Sequence, residues 1–196
     1  MSDFEFVFAL YSLLLGLSMV ELLGGLGRAI EVRFAAEAAA DAEAGKGKFA
    51  IGWLTPLLAV FVMLDLLSFW RAAWVARGDI AVSGSTLMAV AAFASVYFLA
   101  SRLVFPSHPE GFASLDTHYF RVRRIVIGLL LALLGAQIAY YAAHPVLAKA
   151  LTDPLALGLT FILAALMIAA MAVKGTRWSV AVLSLLVARY VVVYLI

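Results

Sequence analysis

Four ionisable residues lie deep within long apolar stretches of the sequence: Glu21, Asp65, Arg102 and Arg189. Arg71 lies nearer the outer end of its stretch. A charge inside membrane hydrocarbon is costly, so such residues usually face a bundle interior, a partner or a water-filled path. At a helical rise of about 1.5 Å per residue, Asp65 and Arg189 lie roughly 21 and 17 Å from the inner ends of their stretches. Glu21 and Arg102 lie roughly 23 and 27 Å from the outer ends of theirs. These depths predict two pairs of opposite charge, Asp65–Arg189 and Glu21–Arg102.

The two predicted pairs have two interpretations. They can be structural ties between helices, or they can lie along an ion or proton pathway. Glu21 is the most interesting residue for a pathway, because Gly24, Gly25 and Gly27 follow it. Glycines can loosen a helix, and carbonyl groups freed beside a carboxylate suit a cation. Close packing between helices is the alternative use of the same glycines.

Tyr97 and Gln137 are further polar residues within the apolar stretches. Each could line a polar path, and Gly24 and Gly25 would line the same path beside Glu21. Each polar side chain could instead form a hydrogen bond between helices, which is the more common role in a membrane bundle. The sequence leaves both roles open.

The connection that follows the third apolar stretch contains four residues of metal-binding types, which are His108, Glu110, Asp116 and His118. Their spacing matches no compact metal site, and Asp116 or Thr117 is better interpreted as the N-cap of the fourth helix. The chain has no cysteine and no HExxH, GxSxG, Walker or GxGxxG motif. We therefore expect no enzyme activity, no cofactor and no bound metal.

Six apolar runs must position these residues. Hydrophobic residues make up 66% of the 196 residues and charged residues 13%, whereas soluble domains average about 45–50% and about 25%. Runs of about 18 or more apolar residues are typical of membrane-spanning helices. The runs cover residues 6–27, 51–75, 84–105, 125–143, 154–173 and 178–196. We predict an all-α polytopic membrane bundle of six transmembrane helices that forms a single domain over residues 1–196.

The distribution of Lys and Arg predicts the orientation of the bundle. The odd-numbered connections contain ten of these residues: Arg28, Arg33, Lys46, Lys48, Arg102, Arg121, Arg123, Arg124, Lys174 and Arg177. The even-numbered connections contain three: Arg71, Arg77 and Lys149. Since positive residues favour the cytoplasmic side, both termini should lie outside the cytoplasm of a cell (inner) membrane. Near the outer ends, an interfacial belt should contain aromatic residues such as Tyr11, Trp70, Trp74 and Tyr190.

The segment after the first apolar run predicts a helical arm. Residues 28–44 are rich in strong helix formers and contain no helix breaker before Gly45. The first helix should therefore continue beyond the membrane into the cytoplasm, with Arg33 and Glu37 paired at i, i+4 on its surface. We interpret this arm as a solvated extension, with partner docking or gating as the alternative.

Basic and small residues predict the partners. Arg121, Arg123 and Arg124 lie at the inner edge, where they set the topology and could also bind anionic lipid headgroups. Ser12 and Gly16 form a small-xxx-small pattern on the first helix, which favours a homo-oligomer. The net charge of +2 is too small to support binding to nucleic acid.

Transport is the function that the intramembrane charges favour. We expect a small homo-oligomeric ion or proton channel, or an ion-coupled transporter, with the four charged residues along or beside the path. The alternative is a non-transport membrane scaffold or sensor subunit that binds a partner through the arm and the inner basic loop. A pathway requires polar positions that continue through the bundle, whereas a scaffold requires only isolated ties.

Overall fold

The computed structural model describes residues 3–42, 49–75, 77 and 82–195. Several residues used in the sequence predictions lie outside these ranges, namely Gly45, Lys46, Lys48 and Ile196. The described chain forms α1 Asp3–Ala42, α2 Leu54–Val75, α3 Gly84–Val104, α4 Leu115–Ala143, α5 Pro145–Ala148, α6 Pro154–Ala172 and α7 Thr176–Leu195. Two short 3-10 turns, Pro109–Gly111 and Lys149–Leu151, complete the regular structure of this part of the chain.

Six of these helices, all except the short α5, are long and apolar enough to cross a membrane. The predicted all-α bundle with six membrane helices is therefore confirmed. α1 has 40 residues, which corresponds to about 60 Å at ~1.5 Å per residue. A hydrocarbon core is only about 30 Å thick, so α1 extends well past one membrane edge. We call residues 28–42 of α1 the arm.

α4 begins at Leu115, earlier than the apolar run that starts at residue 125. The extra turns carry Arg121, Arg123 and Arg124, which an apolar-run criterion excludes although these residues are good helix formers. Ser114 caps this helix by accepting a hydrogen bond from the backbone N–H of Asp116 (3.3 Å). The start of α4 is therefore polar and lies outside the apolar part of the helix.

The packing of the helices brings distant parts of the chain together. α1 packs most extensively on α3, α3 on α4, α2 on α7, and α7 on α6. The buried core is apolar and centres on α2, where Leu58, Phe61, Val62 and Leu66 are inaccessible or nearly so. Many large apolar side chains on the outer faces are exposed, as expected where helices meet lipid.

The start of α2 is held by the start of α4. The backbone N–H of Leu54 donates to the Asp116 carboxylate (3.1 Å), so Asp116 caps α2. The prediction that Asp116 or Thr117 caps the fourth helix is wrong, because Ser114 fills that position and leaves the Asp116 carboxylate free to reach the neighbouring helix. Gly52 has a φ of +69°, and a side chain there would overlap the Asp116 carboxylate. Any other residue at position 52 would strain the backbone at this positive φ and would displace the Asp116 carboxylate that caps α2.

Candidate functional site

The most deeply buried acidic group in the described chain is Asp65, midway along α2 and 3% exposed. The Tyr97 hydroxyl of α3 donates a hydrogen bond to Oδ2 (2.7 Å). The Tyr190 hydroxyl of α7 donates to Oδ1. Both tyrosines are almost wholly inaccessible. One carboxyl group therefore links three helices at the centre of the bundle.

Aromatic rings enclose this carboxyl group along α2. Phe61 and Phe69 lie four residues before and after Asp65, so all three share one face of the helix. The Phe61 ring lies 6.0 Å from that of Tyr190, and the Phe69 ring lies 5.2 Å from that of Tyr97. The carboxyl group consequently lies in an apolar surrounding in which the phenol hydroxyls are its direct hydrogen-bond donors.

Arg189 does not meet Asp65, so the predicted direct ion pair is not formed. The Arg189 guanidinium donates to the main-chain carbonyl of Leu159 on α6 (3.2 Å). It also lies over the ring of its neighbour Tyr190, 4.8 Å from the ring centroid. The tyrosine hydroxyls, rather than the guanidinium, satisfy the carboxyl oxygens.

The physical reason is the direction in which each side chain leaves α7. Arg189 and Tyr190 are adjacent, so they differ by only about 1.5 Å in height but by about 100° around the helix axis. Tyr190 faces α2 and reaches Asp65, whereas Arg189 faces α6 and reaches Leu159. Depths counted along the helices do not give this direction.

Glu21 and Arg102 are brought together, with 3.2 Å between Oε1 and Nη1. Arg28, two turns further along α1, also contacts the Glu21 carboxylate at 3.3 Å. Arg102 donates in addition to the hydroxyl of Ser107 (2.8 Å). Sequence reasoning missed Arg28, although its i+7 spacing places it on the same helix face as Glu21. A carboxylate already shared by two guanidinium groups is a poor ligand for a further cation.

The glycines after Glu21 do not break the helix, and one of them, Gly25, serves packing. α1 continues through Gly24, Gly25 and Gly27 without interruption, so their carbonyls remain within the helix. A Cβ at Gly25 would lie 2.7 Å from Cβ of Phe105, so a larger residue would force one of the two helices to shift. Gly25 therefore permits α1 and the end of α3 to approach closely, and freed carbonyls beside Glu21 are not formed.

The remaining polar residues in the apolar stretches have separate positions. Tyr97 belongs to the Asp65 site. Gln137 is half-buried on α4 and is not among the residues that hydrogen-bond to Asp65. Tyr11 and Tyr190, predicted as part of an interfacial belt, are buried in the core instead. Tyr190 is drawn inward because its hydroxyl finds a hydrogen-bond acceptor there.

The three arginines at the start of α4 differ in exposure. Arg123 is 4% exposed, donates to Val173 at the end of α6 and lies 4.9 Å from the centroid of the Phe120 ring. It thereby satisfies a carbonyl that the end of α6 leaves unpaired. Arg121 and Arg124 are exposed, so they are the members of the group that can reach a lipid headgroup.

The metal-binding residue types of the α3–α4 connection are dispersed. The His108 ring lies 3.2 Å from Glu110, the His118 ring contacts the carbonyl of Leu103 (3.1 Å), and Asp116 caps α2. Within the ranges that the structure describes, no three His, Asp or Glu side chains are grouped in a way that could hold a metal ion.

Six apolar helices around a buried polar centre define a polytopic α-helical integral membrane protein. Comparison of the chain with protein-family models, with curated proteins and with solved structures finds no match. The function must therefore be inferred from the site itself.

Proposed function

We propose that this protein moves protons or a small ion across the membrane, as a channel or an ion-coupled transporter, and that Asp65 is its ion-binding group. The observation that carries the proposal is the buried Asp65 carboxyl group, held by tyrosines from two other helices. An ionisable residue at this depth is costly and marks ion or proton pathways in membrane proteins. A change in occupancy of this one group would act on α2, α3 and α7 together.

The contrast with Glu21 supports a binding role for Asp65. Glu21 is balanced by Arg28 and Arg102, which is the pattern of a structural tie beside the path. Asp65 receives only neutral hydroxyl donors, and Arg189 is directed to Leu159. A buried carboxylate with no cation in contact is stabilised when it binds a positive ion or a proton.

Flux measurements on proteoliposomes that contain the purified protein test this function. A panel of cations, anions and protons should reveal a flux that Asp65→Asn abolishes. The neutral amide of Asn neither binds a proton near neutral pH nor balances the charge of a cation. Glu37→Gln is the matched control, since it makes the same chemical change on the exposed arm, and it should leave the flux intact. Equal fluxes in wild type and Asp65→Asn would refute the proposed role of Asp65.

Further features of the transport proposal concern assembly and the membrane. We place the protein in a cell (inner) membrane as a homo-oligomer, with both termini non-cytoplasmic and the arm in the cytoplasm. The exposed Arg121 and Arg124 are the proposed contacts for anionic lipid headgroups. The positive residues near the arm and at the α6–α7 connection support this orientation.

A non-transport scaffold or sensor subunit is the second candidate function. The arm favours it, because Phe34 on the arm is 64% exposed beyond the apolar part of α1. Ile30, one turn earlier on the same helix face, is 37% exposed, and a contiguous exposed apolar patch can be a surface that another protein covers. This function predicts that folded protein shows no flux of any ion in the panel.

A further inference from the structure

We infer that the ion bound at Asp65 is a proton and that the site is built to exclude metal cations. This inference rests on the proposed function, and it names the transported or coupling ion. It follows from the number of oxygen atoms around the carboxyl group, from the continuity of the helices and from the chemistry of the two phenols.

The oxygen atoms at the site are too few for a metal ion. The two carboxyl oxygens of Asp65 and the hydroxyl oxygens of Tyr97 and Tyr190 form the group. Mg²⁺ and Ca²⁺ take about six to eight oxygen ligands, and alkali-metal filters replace a complete hydration shell with carbonyl oxygens. In addition, each phenol already directs its proton toward the carboxyl group, where a cation would have to approach.

The main chain supplies no further ligand at this level. Membrane proteins that bind Na⁺ draw free carbonyl oxygens from interrupted helices. Here α2, α3 and α7 each run without interruption past the site, so their carbonyls are engaged within the helices. The carbonyl of Asp65 accepts an additional hydrogen bond from the Ser68 hydroxyl (2.7 Å).

A proton needs only one oxygen atom, and the phenols can adjust to it. When a proton from water on one side of the membrane binds, an O–H bond forms on the carboxyl group, whose charge changes from −1 to zero. The protonated carboxyl then becomes a donor, and a phenol oxygen can accept that hydrogen bond by rotating its own O–H. The Ser68 side chain lies beside the Tyr190 hydroxyl and can accept the hydrogen bond that the rotated Tyr190 O–H donates. Uptake of the proton by Asp65 therefore requires only the rotation of hydroxyl groups.

The other titratable groups near Asp65 come from three elements. They are Tyr11 of α1, Tyr97 of α3, and Arg189, Tyr190 and Tyr194 of α7; Tyr141 of α4 lies beside Tyr11. Tyrosines are neutral near pH 7, so Arg189 is the charged member of the group. Its positive charge acts on Asp65 from a distance, which balances an ionised carboxylate without occupying the carboxyl oxygens.

Infrared difference spectroscopy of the full-length protein in lipid vesicles tests the inference independently of flux. A change of pH should produce a protonated-carboxyl C=O band that is absent in Asp65→Asn and retained in the control Glu21→Gln. Tyr97→Phe and Tyr190→Phe should each shift the frequency of this band, because each removes one hydrogen bond from the carboxyl group. Replacing Na⁺ with K⁺ or choline should leave the band unchanged.

The outcomes distinguish the two proposals. If Asp65 shows no protonation between pH 4 and 10, or if Na⁺ removes the band, the site is not a proton site; a Na⁺ flux that depends on Asp65 would then preserve the transport function alone. If the band behaves as expected but vesicles show no proton flux, the proton site stands and the transport function fails.

Discussion

Gly52 and Asp116 occupy complementary space: the carboxylate that caps α2 fills the volume that a side chain on residue 52 would need. This contact joins α2 and α4 through a polar cap at the N-terminal ends of the two helices. The hydrogen bond from Thr55 to the carbonyl of Leu115 reinforces it. The level at which Asp65 lies in the bundle is thus set by a contact far from Asp65 in the structure.

Removal of this cap should lower stability. We expect Asp116→Ala to cost about 0.5–2 kcal/mol, as loss of an N-cap does, whereas Asp116→Asn keeps an acceptor and should cost less. Gly52→Ala should be at least as damaging, because it adds a positive-φ strain to the overlap. Thermal unfolding in detergent measures both. Gly111→Ala is the control, since a Cβ there meets open space.

Gly25 should tolerate no larger residue. We expect Gly25→Ala to lower the unfolding temperature, because its methyl group would overlap the Phe105 side chain. Gly158→Ala in the interior of α6 is the matched control: nothing lies near its Cβ, and alanine is favoured in a helix by roughly 0.5–1 kcal/mol. Equal stability of the two variants would show that α1 and the end of α3 are not in close contact.

The hydrogen bonds to Asp65 predict which mutations couple. In double-mutant cycles, Asp65→Asn should be non-additive with Tyr97→Phe, since the two side chains are in direct contact. Intramembrane hydrogen bonds measured in this way average about 0.6 kcal/mol. Asp65→Asn and Arg189→Gln should be closer to additive, because their groups bind different partners. A larger coupling energy with Arg189 than with Tyr97 would contradict this geometry and would indicate that Arg189 is the main partner of the carboxyl group. Unfolding free energies in detergent supply the data.

Orientation can be measured with reporters at the ends of the chain. Because the positive residues favour the side that carries the arm, tags at both termini should be accessible from the non-cytoplasmic side. A tag within the arm should be inaccessible from the non-cytoplasmic side and accessible from the cytoplasm. Cytoplasmic labelling of either terminus would contradict the orientation.

The exposed face of α1 predicts self-association. Gly16 is exposed, and nothing lies near the position of its Cβ within the described chain, so a second helix could approach closely there. We expect a detergent-corrected mass above that of one chain. Gly16→Leu should reduce that mass, whereas Gly158→Leu, on a different helix, should not. A wild-type mass of one chain at high concentration would contradict the homo-oligomer.

Hydropathy alone predicts most of this fold, because each membrane helix must be a long apolar run wherever it packs. Glu21–Arg102 could be predicted for a similar reason, as both residues lie near the same end of the apolar runs of adjacent helices. The partners of Asp65 could not, because a depth along the helix does not show that Tyr190 faces α2 and that Arg189 faces α6. The burial of Tyr190 could not be predicted either. An aromatic residue near a helix end has the same sequence pattern whether it faces lipid or a buried hydrogen-bond acceptor.

The pairing of α2 with α7 has a consequence for biosynthesis. α2 leaves the ribosome well before α7, yet one oxygen of the Asp65 carboxyl receives its hydrogen bond from Tyr190 on α7. Until α7 has entered the membrane, that oxygen lacks the donor of the finished bundle. A nascent chain that stops before α7 therefore presents an incompletely satisfied polar group in lipid. Membrane chaperones and proteases can recognise such a group as a mark of an unfinished protein.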